Sequence, residues 1–421
     1  MKILIISYYA FPLNAVPSYR IESFCEGFTQ QGADITLLTR HWEESFKSWE
    51  DILSSNEKAP EIKHEKGYRQ IFLPYKAKLN DSKFRLISTL STFKNYLIGN
   101  LQPETNAYLN FKGYALNLLQ RENDFDLILV SAQPLNLIQL GDFLSKKSKV
   151  PYIADMRDYL NNKYLSCSDN LTVREKLINT FTSYHVKKWM KNATLVSTVS
   201  PILENIFKQS YNKNTILALN GYEQKYFQDK KLVAYRNKTF TIRHLGSAYQ
   251  GFDFKPIIHG ISKFMFKNPN VKVNIELVGM HNSQIEDEFL KAFNSQNLKI
   301  IKNRVSKNVV IDKTINSDVL LLAWNLYKGN YGTKLFDYLA SGSHILLCPP
   351  DNSVVEELIQ QHENGSVANT SDEVCAVLEE QYKLWEQGKN KTKINNYPQF
   401  ARENIAVDLY QELKQIVDAN Q

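Results

Sequence analysis

The sequence has no apolar run long enough for the bilayer. Stretches such as Leu4 to Ile6 or Val319 to Trp324 fall far short of the roughly 20 residues a membrane-spanning helix needs. Cysteine is scarce. Cys25, Cys167, Cys348 and Cys375 are scattered without metal-ligand spacing, a usage that suits a reducing cytosol, where thiols need no partner. No small-residue cleavage site follows Met1-Lys2, so the opening residues read as a strand and not as a signal peptide. Short repeats and low-complexity tracts are also missing. The expected location is therefore the cytoplasm.

What is present is a globular composition, 43% apolar and 23% charged, over 421 residues. That length is too great for one ordinary core and comfortable for two. The formal charge of +7 is uneven: between Lys63 and Arg121 ten basic residues face three acidic ones. Such a stretch is either a solvated face or a patch for a phosphate-rich partner.

The N-terminal half alternates strand and helix patterns. Lys2 to Ser7, Asp34 to Thr39, Leu127 to Ser131, Tyr152 to Asp155 and Leu195 to Thr198 read as strands. Tyr19 to Gln31, Leu135 to Lys147 and Arg174 to Lys191 read as helices, with Gly32 as a helix stop. The grammar restarts near residue 239: strands at Phe240 to Leu245, Val271 to Val278, Lys299 to Ile301, Val319 to Ala323 and Ile345 to Cys348 alternate with helical stretches. This order predicts an α/β protein of two doubly wound, Rossmann-like domains facing a cleft, joined around Asn220 to Lys231. The expected division is 1–222, 223–395 and a terminal helix within 396–421 that crosses back to the first domain. Ligands are expected beyond the carboxyl ends of the strands.

The stretch Asn330 to Gly342, NYGTKLFDYLASG, carries the most chemistry. Gly332 and Thr333 end a loop and a helix begins at about Lys334, so unpaired N–H groups and a partial positive charge await a diphosphate. A lysine in that first turn opposes the helix dipole, which marks it as serving a ligand. Asp337 lies one turn on, where a carboxylate can accept the hydroxyls of a ribose. The plainer reading is an ordinary helix with Leu335, Phe336 and Leu339 in the core.

KLFDYLASG followed by HILLCPP resembles the donor-site signature of the GT-B glycosyltransferases of family 4. Other landmarks stand in the family's order: ILIISYYAFPLNAVPSYR with Ser18 and Arg20, DLILVSAQP, VPYIADMRDYL with Asp155, Arg157 and Asp158, ATLVSTVSPIL, ALNGYEQKYF, and RHLGSAYQG. The resemblance spans nearly the whole chain. It implies transfer of a hexosyl or N-acetylhexosaminyl unit from a nucleotide-sugar with retention at the anomeric carbon, without cofactor or metal. It implies a saccharide or lipid-linked acceptor, in surface polysaccharide biosynthesis. Carried over residue by residue, Gly332, Thr333 and Lys334 hold the phosphates, Asp337 binds the ribose in place of the usual Glu, and Gly246 and Ser247 let the backbone approach. Arg304 lies on the loop expected to contact the base. A second family Glu is replaced by Gly329, its task passing to Asn325 or Tyr327, and the usual basic pair after Gly246 is missing unless Arg243 or Lys255 reaches in. Ser18 and Arg20 fall on the acceptor side.

Asp155, Arg157 and Asp158 close a buried strand. One carboxylate there can orient or deprotonate an acceptor hydroxyl while Arg157 fixes a phosphate, or the three form a structural ion network. His185 reads as a surface or packing residue. Ser82 to Asn100 sets Leu86, Leu90, Phe93 and Leu97 on one face beside Lys83, Arg85 and Lys94. That helix either packs on the first domain or lies on an anionic membrane surface at the inner face of the membrane. Nucleic acid is not an expected partner, since the basic stretch lacks an interleaved aromatic-arginine platform. A non-catalytic nucleotide-sugar binder and an epimerase remain as alternatives.

Overall fold

Ile3 to Ile6 and Leu127 to Val130 carry no polar alternation, so neither can lie on a half-solvated sheet. In the computed structural model they are adjacent central strands of a parallel sheet with helices on its faces, and each of these side chains is fully buried. The structure describes residues 1–42, 54–77, 94–102, 105–159, 172–228, 239–248, 252–303, 305–323, 331–350, 352–390, 394 and 397–419. These residues divide into two units: the first draws on Met1–Tyr164, Ser168–Leu219 and Arg402–Gln421, the second on Asn220–Ala401.

The first unit holds β1 (Lys2–Ser7), β2 (Asp34–Arg40), β3 (Glu61–Glu65), β4 (Tyr68–Leu73), β5 (Leu127–Ser131), β6 (Tyr152–Met156), β7 (Ala193–Thr198) and β8 (Thr215–Leu217). Their order is β3-β4-β2-β1-β5-β6-β7-β8, parallel except for β3, which pairs antiparallel with β4 at the edge. Helices α1 (Val16–Gln30), α2 (Ala107–Arg121), α3 (Asn136–Ser148), α4 (Val173–Met190) and α5 (Pro201–Tyr211) connect them. Gly32, just past α1, has φ +84°, the left-handed conformation that ends a helix without a Cβ penalty.

The second unit contains β9 (Phe240–Leu245), β10 (Val273–Val278), β11 (Leu298–Ile301), β12 (Val319–Leu322), β13 (His344–Leu347) and β14 (Gly365–Val367). Between them run α6 (Lys255–Lys267), α7 (Ser283–Ala292), α8 (Lys307–Ile315), α9 (Thr333–Ser341), α10 (Val354–Gln360) and α11 (Ser371–Glu386). The sheet order is β11-β10-β9-β12-β13-β14, all parallel. The chain therefore reverses its winding between β9 and β12. In the first unit the same reversal falls between β1 and β5. Ligands of open parallel sheets bind at the strand ends beside such a reversal.

The last helix, α12 (Arg402–Asp418), returns to the first unit and packs on α1. The approach is close: a Cβ on Gly27 would stand 2.6 Å from the Cβ of Ala406. Ile405, Leu409 and Leu413 join the core under β1 and β2. Among the described residues no helix is long and apolar enough to cross a membrane.

Candidate functional site

In the second unit the winding reversal puts the end of β9 at the natural ligand position. The chain leaves β9 through Gly246, whose φ of +99° excludes an ordinary L-residue. A Cβ there would also lie 3.0 Å from Cδ, Cε and Nζ of Lys334. The next strand behaves alike: Gly279 ends β10 with φ +75°, and a Cβ on it would lie 3.5 Å from the Gly246 Cα. Two side-chain-free turns thus stand side by side. The Gly246 N–H donates to Val278 O at 2.6 Å, and the Gly279 N–H to Ile301 O at 2.7 Å.

Helix α9 starts against this floor. Gly332 is its N-cap and, having no side chain, leaves the first-turn N–H groups without a side-chain cap. Lys334 lies over Gly246 and donates from Nζ to Ser247 O at 3.2 Å. Burial lowers its pKa from 10.5 to about 8, with no carboxylate among the described residues to offset the loss of water. Beneath it His244 is fully buried, and burial together with the Lys334 charge drops its pKa to about 3, so the ring is neutral. Its Nδ1 lies 3.2 Å from Leu321 O, while Nε2 has no hydrogen-bond partner among the described residues. The Leu245 N–H donates to the Tyr338 hydroxyl at 3.0 Å, tying the end of β9 to α9.

Asp337, one turn beyond Lys334, is buried, and its Oδ2 accepts from Lys307 Nζ at 2.6 Å. Oδ1 has no partner among the described residues. Gly246, Ser247, Gly332, Thr333, Lys334 and Asp337 therefore lie together at the end of β9 and the start of α9. Arg243 does not reach in. It pairs with Glu276 at 2.7 Å and donates to the carbonyls of Lys313 and Asn316, inside the unit. Although burial works against it, the Arg243 guanidinium and the Lys313 ammonium, both donating to its carboxylate, bring the Glu276 pKa down to about 2. Lys255 is exposed at the start of α6. Arg304, Asn325, Tyr327 and Gly329 lie outside the described residues, as do residues 82–93 of the Ser82 to Asn100 stretch. Lys307, His244 and Tyr338 escaped the sequence reading. The lysine is 30 positions away from Asp337, and nothing in the sequence signals that α8 brings it there.

In the first unit Asp155 is wholly buried and fully engaged. Arg20 grips it with Nε to Oδ2 at 3.2 Å and Nη2 to Oδ1 at 2.7 Å, and the hydroxyls of Ser131 and Ser197 donate at 3.1 and 2.8 Å. Burial alone would raise its pKa, but the Arg20 charge and these donors hold it below the ordinary value. The remaining Arg20 nitrogen donates to Ala218 O and Leu219 O. Asp155 and Arg20 are thus an interior ion pair. Ser18 is buried as well, its hydroxyl unpartnered among the described residues.

Arg157 and Asp158 are less committed. Arg157 donates from Nε and Nη2 to Ala132 O at 3.2 and 2.9 Å, and its guanidinium lies 5.5 Å from the ring centre of Tyr9. Burial lowers its pKa, opposed by Asp158 and Asp155. Asp158 is half-buried. Tyr9 stacks on Trp42 at 5.9 Å, and burial raises its hydroxyl to about 12. His185 is a packing residue: its Nε2 is 3.1 Å from Leu97 O and its ring lies against Trp189. Among the described residues no group of three or more His, Cys, Asp or Glu side chains is placed to hold a metal ion.

No protein-family model and no curated protein matches the sequence. Solved structures do match in shape. A sucrose-phosphate synthase from Thermosynechococcus elongatus superposes with a TM-score of 0.66 at 15% identity, covering 99% of both chains. An α,α-trehalose 6-phosphate synthase from Burkholderia multivorans gives 0.61 at 9% identity, covering 100% of this chain and 99% of that one. Anabaena HepE, solved with UDP and glucose, gives 0.59 at 11% identity over the full length of both. At such identities the likeness speaks for architecture alone: this chain has the GT-B fold, two Rossmann-like parallel-sheet domains in one polypeptide.

Proposed function

We propose that this protein is a glycosyltransferase whose second unit binds a nucleoside-diphosphate sugar. One observation carries the reading. The side-chain-free turn after β9, beside the winding reversal, meets the uncapped start of α9, and Lys334 spans the two with no carboxylate partner among the described residues. A buried ammonium without a counter-ion is costly, and a diphosphate supplies that counter-ion while accepting the first-turn N–H groups. Charge that builds on the leaving diphosphate is then met by donors already in place, which is where most of the rate enhancement in such reactions arises.

The proposal extends to a finer reading. A hexosyl or N-acetylhexosaminyl unit is transferred with retention and without a metal ion, the ammonium and helix terminus taking the part of a cation at the diphosphate. Anabaena HepE is bound to UDP, and uracil is the base proposed first. On the first unit, Arg157 and Asp158 are the residues proposed to meet the acceptor, a glycan or lipid-linked saccharide of surface polysaccharide assembly. Exposed Leu97 and Ile98 beside Lys94 support contact with the inner face of the membrane; sedimentation with anionic liposomes at low salt is expected, and its absence would remove that part.

The decisive experiment is a thermal-shift screen of UDP, GDP, ADP and dTDP. A ligand at 100 times its dissociation constant adds about 2.7 kcal/mol. One diphosphate is expected to raise Tm, and Lys334→Ala to abolish that rise while the protein remains folded. No shift with any of the four, or an equal shift in the variant, defeats the assignment.

A further inference from the structure

Helix α4 is apolar on the face it turns to solvent. Thr182, Val186, Trp189 and Met190 bury one side of it, with α3 as the neighbouring helix. The opposite side carries Val173, Leu177, Thr180 and Tyr184, in register along the helix. Val173, Leu177 and Tyr184 are 76%, 45% and 63% exposed. Even Thr180 turns its hydroxyl inward, donating to Lys176 O at 2.9 Å. A surface helix ordinarily sets polar residues opposite its buried face, and apolar area left in water forgoes the free energy that covering it would release.

The stripe has an apolar neighbour. Residues 94–99 sit tightly against α4 at His185: its Nε2 lies 3.1 Å from Leu97 O, and a Cβ on Gly99 would stand 2.7 Å from its Nδ1. Leu97 and Ile98 are both exposed there, and the Tyr184 ring lies against that of His185. Charge is arranged to match. From Val173 to Lys191 there are five basic residues and one acidic. The acid, Glu175, is used in the capping box with Thr172 that begins the helix. Arg174, Lys176, Lys187 and Lys188 flank the stripe, are exposed, and form no ion pair among the described residues.

We propose that α4 docks the protein on an anionic bilayer: Val173, Leu177 and Tyr184, with Leu97 and Ile98 beside them, enter the headgroup boundary while the flanking cations meet lipid phosphates. An apolar stripe edged by unpaired cations, its one acid turned to the helix cap, fits such a surface. Tyrosine suits the boundary because its ring is apolar and its hydroxyl is not. A second copy of this chain fits poorly, since it would set cations against cations. The proposal rests on the membrane contact put forward for the first unit and places its centre on α4; it is independent of the donor site in the second unit.

Co-sedimentation of the intact protein with phosphatidylcholine vesicles, with and without phosphatidylglycerol, tests it. The wild-type protein is expected to sediment with the mixed vesicles at low salt, to be released by high salt, and to ignore pure phosphatidylcholine. One cation near an anionic surface is worth about a fivefold change in affinity, so Lys187→Gln with Lys188→Gln should weaken binding about 25-fold. Leu177→Ser with Tyr184→Ser should weaken it about tenfold. Both variants should keep the wild-type urea midpoint and whatever nucleotide thermal shift the wild type shows, since these side chains are exposed and belong to the first unit. Variants that bind vesicles as the wild type does overturn the proposal while the membrane contact stands. No wild-type binding removes both. Self-association that Leu177→Ser with Tyr184→Ser abolishes, in a protein that ignores vesicles, assigns the stripe to a second copy and overturns the proposal as well. Should the variants fail to fold, hydrogen exchange of the wild-type protein decides: mixed vesicles are expected to slow exchange along the exposed half of α4, and unchanged exchange there in vesicle-bound protein refutes the docking role.

Discussion

Each unit places charge towards the carboxyl ends of its strands, and the two treat it in opposite ways. In the first unit Asp155 and Arg20 satisfy one another, and four donors converge on one carboxylate with no water-facing surface. In the second unit, among the described residues, Lys334 has only a backbone carbonyl and Asp337 keeps one oxygen idle. A closed network of charges spends its electrostatics on holding α1, β5, β6 and β7 together. An open one holds its charge for a ligand. Asp155 and Asp337 are both buried, so burial does not separate structural from ligand-binding charges; completeness of partnering does.

That contrast can be broken at either end. The largest effect is expected from Asp155→Ala, which strands Arg20 in the interior and should cost about 3–5 kcal/mol of unfolding free energy, read as a fall in the urea midpoint. A loss below about 1 kcal/mol would mean the pair is not the internal clasp drawn here. Lys334→Ala, removing a charge with no counter-ion, should by contrast leave that midpoint unchanged or higher.

The smallest effect concerns pH. The Lys334 pKa is near 8 in the fold against 10.5 ordinarily. Below pH 8 both folded and unfolded chains carry the proton and the fold bears the cost of the buried charge. Between 8 and 10.5 the folded protein releases the proton first, so this residue's contribution to stability rises with pH. Diphosphate affinity moves the other way, falling by up to about tenfold per pH unit above 8 as the ammonium is lost. Titrations from pH 7 to 9.5 should show this, and Lys334→Arg, which stays charged, should flatten it. A wild-type affinity constant across that range would contradict the role given to the ammonium.

Much of the architecture was legible from apolar runs. Strands such as Lys2–Ser7, Leu127–Ser131 and Phe240–Leu245 coincide with the sequence reading to the residue. The β3–β4 hairpin is not legible in the apolar pattern. Its turn is Lys66-Gly67, both at positive φ, and β3 is exposed along its length, so no apolar alternation announces it. The charge reading of that stretch also changes. Lys66 pairs with Glu22 and Glu26 of α1, and Arg69 with Glu122. Part of the basic excess between Lys63 and Arg121 is thus neutralised by carboxylates that a count along the chain does not see.

By itself the sequence determined the two tandem strand–helix repeats, the glycine-bearing turns and the lysine at the head of α9, since these are local: periodicity, backbone freedom and helix-terminal charge depend on near neighbours. Only the tertiary structure decided which charges are spent. Whether Asp155 meets Arg20, or Asp337 meets Lys307, depends on helices and strands distant in sequence arriving beside one another. The strength of an ionic contact is set by the water excluded around it and by the number of its partners, and neither quantity exists before the chain is folded.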